Sequence, residues 1–377
     1  MEMTHLLVYV WDIVFYIFCA IIAIQLFYFL FFYSRLAFYK TPEKVQTVER
    51  PVTVIICARN EADKLVRNLP GVLVQDYKTT HEIIVVNDNS DDDSKYLLEE
   101  FRRSFKNLSI VELTQEAKLI MGKKFPLSMG IKSARYETLL LTDADCVPAS
   151  ELWIQKMQAA YTDGIEIVLG YGSYHKKPGL LNKLIRFETF YSALQYFSFA
   201  LAKMPYMGVG RNLSYRRELF INNKGFSSIN HIPSGDDDLF INKVATKTNT
   251  AIVIDPDTHT LSEPKRTFVG WMKQKYRHYT AAKYYKRKHK IMLGIYSFTS
   301  FLVYPLLTLC IIFYSWWMAL AVYGVRFLVQ AVIYYKAMKK LNEKDLWPFF
   351  LFFDIWMFFY YIFFFPSLWK KPQKNWN

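Results

Sequence analysis

Two carboxylates one residue apart, Asp143 and Asp145, follow the apolar run Leu139-Leu140-Leu141 in the step Thr142-Asp143-Ala144-Asp145. On an extended segment, side chains two apart share a face, so both acids point the same way from a strand end. Two hard oxygen ligands in that position suit Mg²⁺ or Mn²⁺, which proteins hold through one or two carboxylates plus the phosphates of a substrate. The predicted chemistry is the handling of a diphosphate-bearing donor. The competing reading, a polar exit from a strand into a loop, would win for an isolated Asp-x-Asp. The motifs elsewhere in the chain decide between them.

The elements that must position these acids are legible as alternating strands and helices. Val52 to Ile56 is a β-branched run ending at Ala58-Arg59-Asn60-Glu61, followed by a helical pattern through Leu65, Leu69, Val72 and Leu73. Ile83 to Val86 is a second strand, ending at Asn87-Asp88-Asn89-Ser90, with a helix expected from Ser94 to Phe105. Leu108 to Leu113 is a third, and Thr138 to Leu141 leads into the Asp-Ala-Asp step. Strands joined by helices imply an α/β fold with a mostly parallel sheet, whose ligands bind beyond the carboxyl ends of the strands. Every polar motif named so far sits at such an end. One domain over roughly residues 45–290 is expected to carry them.

Around this domain the chain is built for a bilayer. It has 377 residues, 52% apolar and 18% aromatic, with a formal charge of +14, too apolar for one ordinary soluble domain. From Leu6 to Tyr33 only Asp12 is charged, which exceeds the roughly 20 residues needed to cross a bilayer core. Residues 1–40 therefore read as a membrane helix and its flank, retained because no signal-peptide pattern is present. Residues 291–377 read as a second membrane region: a hairpin of Ile291 to Ile312 and Trp316 to Tyr335, turning near Tyr314-Ser315, then an aromatic run from Leu346 to Phe365 that crosses or lies at the interface. Arg326 and Asp354 lie inside these apolar stretches, where unpaired charge is costly, so they are expected to pair or to face the protein interior.

Arg35, Lys40, Lys44 and Arg50 follow the first helix and Lys286, Arg287, Lys288 and Lys290 precede the hairpin, which places the middle domain on the cytoplasmic side of an inner or plasma membrane. The same clusters account for the basic excess, so no nucleic-acid partner is expected. Cys19, Cys57, Cys146 and Cys310 have no zinc-type spacing, and neither disulfides nor a structural metal are expected.

The ordered set Ala58-Arg59-Asn60-Glu61, Asn87-Asp88-Asn89-Ser90, Gly122-Lys123-Lys124, Asp143-Ala144-Asp145, Gly208 to Tyr215 and Gly235-Asp236-Asp237-Asp238 resembles the family 2 glycosyltransferases across the whole middle domain. The resemblance implies a GT-A fold: a nucleotide-sugar-binding α/β domain that uses a divalent metal and inverts the anomeric carbon. Bottom-up chemistry asks for the same parts. The leaving diphosphate's charge must be neutralised, which a metal on Asp143 and Asp145 can do, and a carboxylate must take the acceptor hydroxyl's proton. Asp236-Asp237-Asp238, ahead of the apolar Leu239, Phe240 and Ile241, offers that base at a helix start. Neighbouring carboxylates raise one another's pKa; one of the three is expected to cap the helix while another works.

The resemblance also assigns roles. The family's base is followed three residues later by an apolar residue and six later by Arg or Lys, which favours Asp237, with Phe240 and Lys243 at those places, over Asp236. Glu61 and Asp88 resemble the acids that contact the base and ribose of the donor; Asn87 stands where the family commonly has a further Asp, which weakens the inference to uracil. Lys123 or Lys124 looks like the basic element near the donor phosphates, and a solvated charge is the competing reading for either. Gln274-Lys275-Tyr276-Arg277-His278 resembles the Gln-x-x-Arg-Trp motif of membrane polysaccharide synthases, so Gln274 and Arg277 join the donor-binding set. His278 stands in place of the Trp, which counts against processive extension. Leu180 to Met204 could be an amphipathic helix on the membrane or ordinary core, and Gly208-Val209-Gly210-Arg211-Asn212 is a turn that could bring backbone close to a sugar, though its two glycines alone say only that the chain bends.

The sum is a membrane-anchored, metal-dependent inverting glycosyltransferase using a nucleotide sugar, with a UDP-sugar as the expected donor and a lipid-linked or envelope glycan as the acceptor. A processive polysaccharide synthase and an inactive nucleotide-binding membrane regulator are the alternatives.

Overall fold

The computed structural model describes residues 2–41, 50–114 and 122–366, with side chains from Tyr9 onward. The chain divides into two compact units: Lys40–Tyr285, and the flanking segments up to Tyr39 and from Lys286.

The first unit is built on a seven-stranded sheet. Its leading strands are β1 (Val52–Ala58), β2 (His81–Asp88), β3 (Leu108–Leu113) and β4 (Thr138–Asp143). They lie in the order β3-β2-β1-β4 and are all parallel. All seven residues of β1 are buried, which explains why it reads as an unbroken apolar run: a parallel sheet is covered on both faces. On one face the helix Ala62–Leu73 buries Leu65, Leu69, Val72 and Leu73 against Val52, Val54 and Ile56. On the other lies the helix Lys124–Ser133, so close that a Cβ on Gly130 would come within 2.8 Å of Ile55 and 2.9 Å of Val86. That approach fixes where Lys123 and Lys124 begin.

The register aligns the polar strand ends. Cys57 pairs with Asp143 and Ala58 with Asn87, so the motifs after β1, β2 and β4 emerge along one edge. Beyond β4 the sheet continues with β8 (Leu213–Arg216), antiparallel to both neighbours, then β6 (Ile167–Leu169) and β9 (Thr250–Ile252). A small second sheet, in the order β5-β10-β7, joins β5 (Cys146–Pro148), β10 (Thr260–Ser262) and β7 (Gly172–Tyr174). It starts one residue after Asp145. The helix Leu180–Leu201 is buried on nearly every side, Arg186 and Glu188 included, so it packs as core and not as a one-sided amphipathic helix. A buried ion pair between Glu188 and Lys275 explains how it can hold a carboxylate.

The second unit contains four helices long and apolar enough to cross a membrane: Tyr9–Ala37, Arg287–Phe313, Trp316–Lys340 and Lys344–Phe364. The aromatic run after residue 345 is helical, so the C-terminal region has three such helices. The hairpin turns between Phe313 and Trp316. Arg326 and Asp354 pair inside this unit through two bonds of 3.0 and 3.1 Å. Gln330 at 2.8 Å, Tyr304 at 2.6 Å and Tyr323 at 3.2 Å also donate to the carboxylate. Pairing the two charges in this way is what makes them tolerable among apolar residues. Gln25 likewise spends its amide on the Tyr296 carbonyl and the Thr299 hydroxyl.

Candidate active site

Asp143 closes β4, and its carboxylate accepts a hydrogen bond from the ammonium of Lys123. Burial alone would raise its pKa, but Lys123, Arg211 and Arg277 outweigh that and hold the carboxyl below its ordinary value. Asp145 follows after one residue, and Cys146 donates to its Oδ1 at 3.3 Å. One ligand atom each from Asp143, Asp145 and Cys146 lie within 4.8 Å of one another. Burial and the two adjacent carboxylates push the Cys146 thiol well up, so at neutral pH it stays a thiol. The effective donor set is therefore two hard carboxylates, which fits Mg²⁺ or Mn²⁺ better than a thiolate-seeking metal.

The exits of β1 and β2 are sewn together. Asn60, at φ +53°, donates its N–H to Ser90 Oγ at 3.0 Å and accepts from the Asp91 N–H at 2.7 Å. Asp92 accepts from the Ala62 N–H at 3.0 Å. These bonds fix Glu61 at the helix start. Burial raises the Glu61 pKa, Lys64 opposes this, and Asp145 and Asp143 add to the rise, so Glu61 feels the acid pair. Asp88 ends β2 and is buried. Asn87 beside it donates to Glu112 at 2.9 Å and accepts from Ser90 at 2.6 Å. An aspartate there would meet Glu112 as a like charge, a physical reason for the amide.

Lys123 and Lys124 diverge. The Lys124 ammonium is fully buried and donates to the carbonyls of Ile232 at 2.5 Å and Ser234 at 2.7 Å. Gly122, at φ +71°, lies so near the same loop that a Cβ would stand 2.2 Å from the Pro233 carbonyl oxygen. Lys124 thus holds the loop that leads into the aspartate run, while Lys123 alone reaches the acid pair.

Within that run the three acids differ. Asp237 accepts from the Gly210 N–H and the Asp238 N–H, each at 2.7 Å. Burial, Asp236 and Asp238 together push its pKa up to about 8, against the pull of those amides. Asp238 is buried, takes a 2.7 Å bond from the Tyr285 hydroxyl and caps Leu239; burial lifts it to about 6. Asp236 acts electrostatically on both Lys123 and Lys124. Capping is shared by Asp237 and Asp238, so the two roles that a single residue each was expected to take overlap in Asp237.

The helix Phe268–Ala282, capped by the Thr267 side chain on Gly270 N, brings up Gln274 and Arg277. Gln274 donates to the Tyr174 hydroxyl at 3.5 Å, and its Oε1 is enclosed with no donor among the described residues. Arg277 is one of the cations that lower Asp143. His278 is exposed. Two residues that sequence reasoning left aside also converge here. Arg211 lies over the Tyr174 ring, 4.4 Å from its centroid, and its charge acts on Asp145 and Asp143. Asn212 next to it is fully buried and holds the turn through Trp153 at 3.1 Å, the Tyr171 carbonyl at 3.0 Å and the Thr258 carbonyl at 2.7 Å. Nothing local distinguishes Arg211 from Arg216 and Arg217 nearby; only the fold turns it inward.

Residues 53–222 match the family described as Glycosyl transferase family 2. The glycosyltransferase AglE of Haloferax volcanii is 26% identical over 192 residues, covering 49% of this chain and 58% of that protein. The poly-β-1,6-N-acetyl-D-glucosamine synthase of Staphylococcus epidermidis is 31% identical over 96 residues, 26% of this chain and 22% of that one. The chain thus spans about half or less of the length of these curated relatives. Among solved structures, the mannosyltransferase PcManGT of Pyrobaculum calidifontis, determined with GDP-mannose and Mn²⁺, superposes with a TM-score of 0.58 at 18% identity, covering 92% of this chain and 99% of that one. At that identity the likeness speaks for the fold, a GT-A arrangement.

Proposed function

We propose that the chain, which has a GT-A fold, is a family 2 glycosyltransferase and that it transfers a sugar, with inversion and with a divalent metal, from a nucleotide diphosphate sugar to a lipid-linked or envelope glycan. The observation that carries this reading is the Asp143/Asp145 pair at the end of β4 with the charges of Lys123 and Arg277 acting on it, and an aspartate lifted to about 8 that is bonded to Gly210, the residue before Arg211, whose carbonyl accepts from Thr142.

Asp143 and Asp145 would hold Mg²⁺ or Mn²⁺, which supplies Lewis-acid neutralisation of the leaving diphosphate when bound. Lys123 and Arg277 add fixed positive charge at the same place, aimed where negative charge develops. Glu61 and Asp88, fixed at the ends of β1 and β2, face the nucleoside. Asp237 takes the proton of the acceptor hydroxyl; its raised pKa suits a base working near neutral pH. A base acting opposite the leaving group makes the reaction a single displacement, hence inversion. A UDP-sugar remains the donor we favour, and a cytoplasmic face is the side that the flanking basic residues support.

A processive synthase is the second reading, favoured by the Gln274 and Arg277 placement and tested by product length. The primary reading is tested by incubating purified protein with labelled nucleotide sugars and extracted membrane lipids. We expect a metal-dependent glycolipid whose new bond, by NMR, has the opposite anomeric configuration to the donor. Retained configuration would contradict the mechanism.

A further inference from the structure

We propose that Arg211 is a diphosphate-binding residue of the donor site, a guanidinium held by Tyr174; the proposal rests on the donor reading above. Four observations support it. Arg211 sits on the turn whose preceding residue, Gly210, donates its N–H to Asp237 at 2.7 Å, so the residue stands between the base and the acid pair. Its backbone is pinned from both sheets: the Arg211 carbonyl accepts from Thr142 Oγ1 at 3.0 Å and from Thr260 Oγ1 at 2.9 Å. Its guanidinium is oriented by the Tyr174 face at 4.4 Å and by one bond, Nη1 to the Ser173 carbonyl at 3.2 Å.

Its other guanidinium donors make no hydrogen bond among the described residues, although its charge acts on both Asp143 and Asp145. The guanidinium is thus pre-oriented, positive, beside the metal-type carboxylates, and has donors to spare. That is the arrangement a diphosphate needs, because a planar fork binds two phosphate oxygens at once. A purely structural arginine would pair with Asp143 or Asp145 directly; neither bond is formed. Tyr174 in turn receives Gln274, so one aromatic ring links the turn, the small sheet and the helix that carries Arg277.

The test compares nucleoside diphosphates with monophosphates by calorimetry on the purified full chain in detergent, using UDP and UMP, and GDP and GMP, each with Mn²⁺. Arg211→Met should weaken the diphosphate by about 10- to 100-fold, the range for losing a charge-assisted bond, while the monophosphate of the same base changes by less than about threefold. Arg211→Lys should recover part of the loss and Tyr174→Leu should give a smaller diphosphate-specific loss, with thermal melting showing that each variant folds. Equal weakening of diphosphate and monophosphate, or none of either, would overturn the assignment while leaving the donor reading intact. A wild-type protein that binds none of the four nucleotides would overturn both.

Discussion

Replacing Asp237 with Asn should separate its chemical role from its structural one. Both carboxylate oxygens accept backbone N–H bonds, from Gly210 and Asp238, and the group is lifted from 3.8 to about 8. At roughly 1.36 kcal/mol per unit, a lift of about four units is a ceiling of about 5 kcal/mol on the cost of ionising it in the folded protein. The sign follows from a folded pKa above the unfolded one: the stability this proton provides is fully present below pH 3.8 and is lost as pH rises toward about 8. Asn never ionises, so it escapes that loss, but it offers one carbonyl oxygen to two amides and forfeits about 1–3 kcal/mol. The melting temperature of the variant relative to wild type should therefore climb between pH 4 and pH 8, crossing from below to above. Over the same range turnover should fall by about 10²- to 10⁴-fold, or roughly 3–5 kcal/mol of barrier, and the rise of wild-type kcat/KM with pH should vanish. Melting curves and initial rates on one preparation measure both. A variant that kept full turnover, while Asp236→Asn lost it, would show that the base is the neighbouring acid.

Three other changes test the surroundings. Asp238→Asn and Tyr285→Phe break the same 2.7 Å bond, so each should lower the melting temperature and the pair together should cost less than the sum; additive losses would separate them. Lys124→Met leaves the carbonyls of Ile232 and Ser234 without a donor and should cost about 2–4 kcal/mol by denaturant titration, lowering kcat more than donor affinity; a selective loss of nucleotide binding would mean that Lys124 reaches the phosphates after all. Reversing Arg326 or Asp354 alone should destabilise by about 3–5 kcal/mol, and reversing both should recover part of it; equal damage in single and double variants would sink the pairing argument.

The parallel sheet was readable because buried β-branched runs leave few alternatives, and Asp143 and Asp145 because their spacing matches the strand period. What could not be read depends on contacts distant in sequence. Lys123 and Lys124 are adjacent and chemically identical, yet one reaches Asp143 and the other the carbonyls of residues 232 and 234; helix placement over Gly130 decides which. Leu180 to Leu201 shows polar residues that suggest a surface face, and partners such as Lys275, distant in sequence, make Glu188 a core residue. Arg211 and Tyr174 become neighbours through the small sheet that β7 and β10 form, and short three-residue strands leave little trace in a pattern. Arg326 and Asp354 were legible as a pair because apolar surroundings leave charges almost nowhere else to go.

The central claim is that the Asp143/Asp145 pair holds the metal through which a nucleotide sugar is used, and it is tested most directly by release of nucleoside diphosphate from a panel of nucleotide sugars by the purified chain. Wild type should release it from one donor with Mg²⁺ or Mn²⁺, lose that release when the metal is chelated, and recover it on adding metal back. Asp143→Asn and Asp145→Asn should each abolish it while leaving the melting temperature within a few degrees of wild type. Release that persists in chelator, or in both variants, would contradict the account.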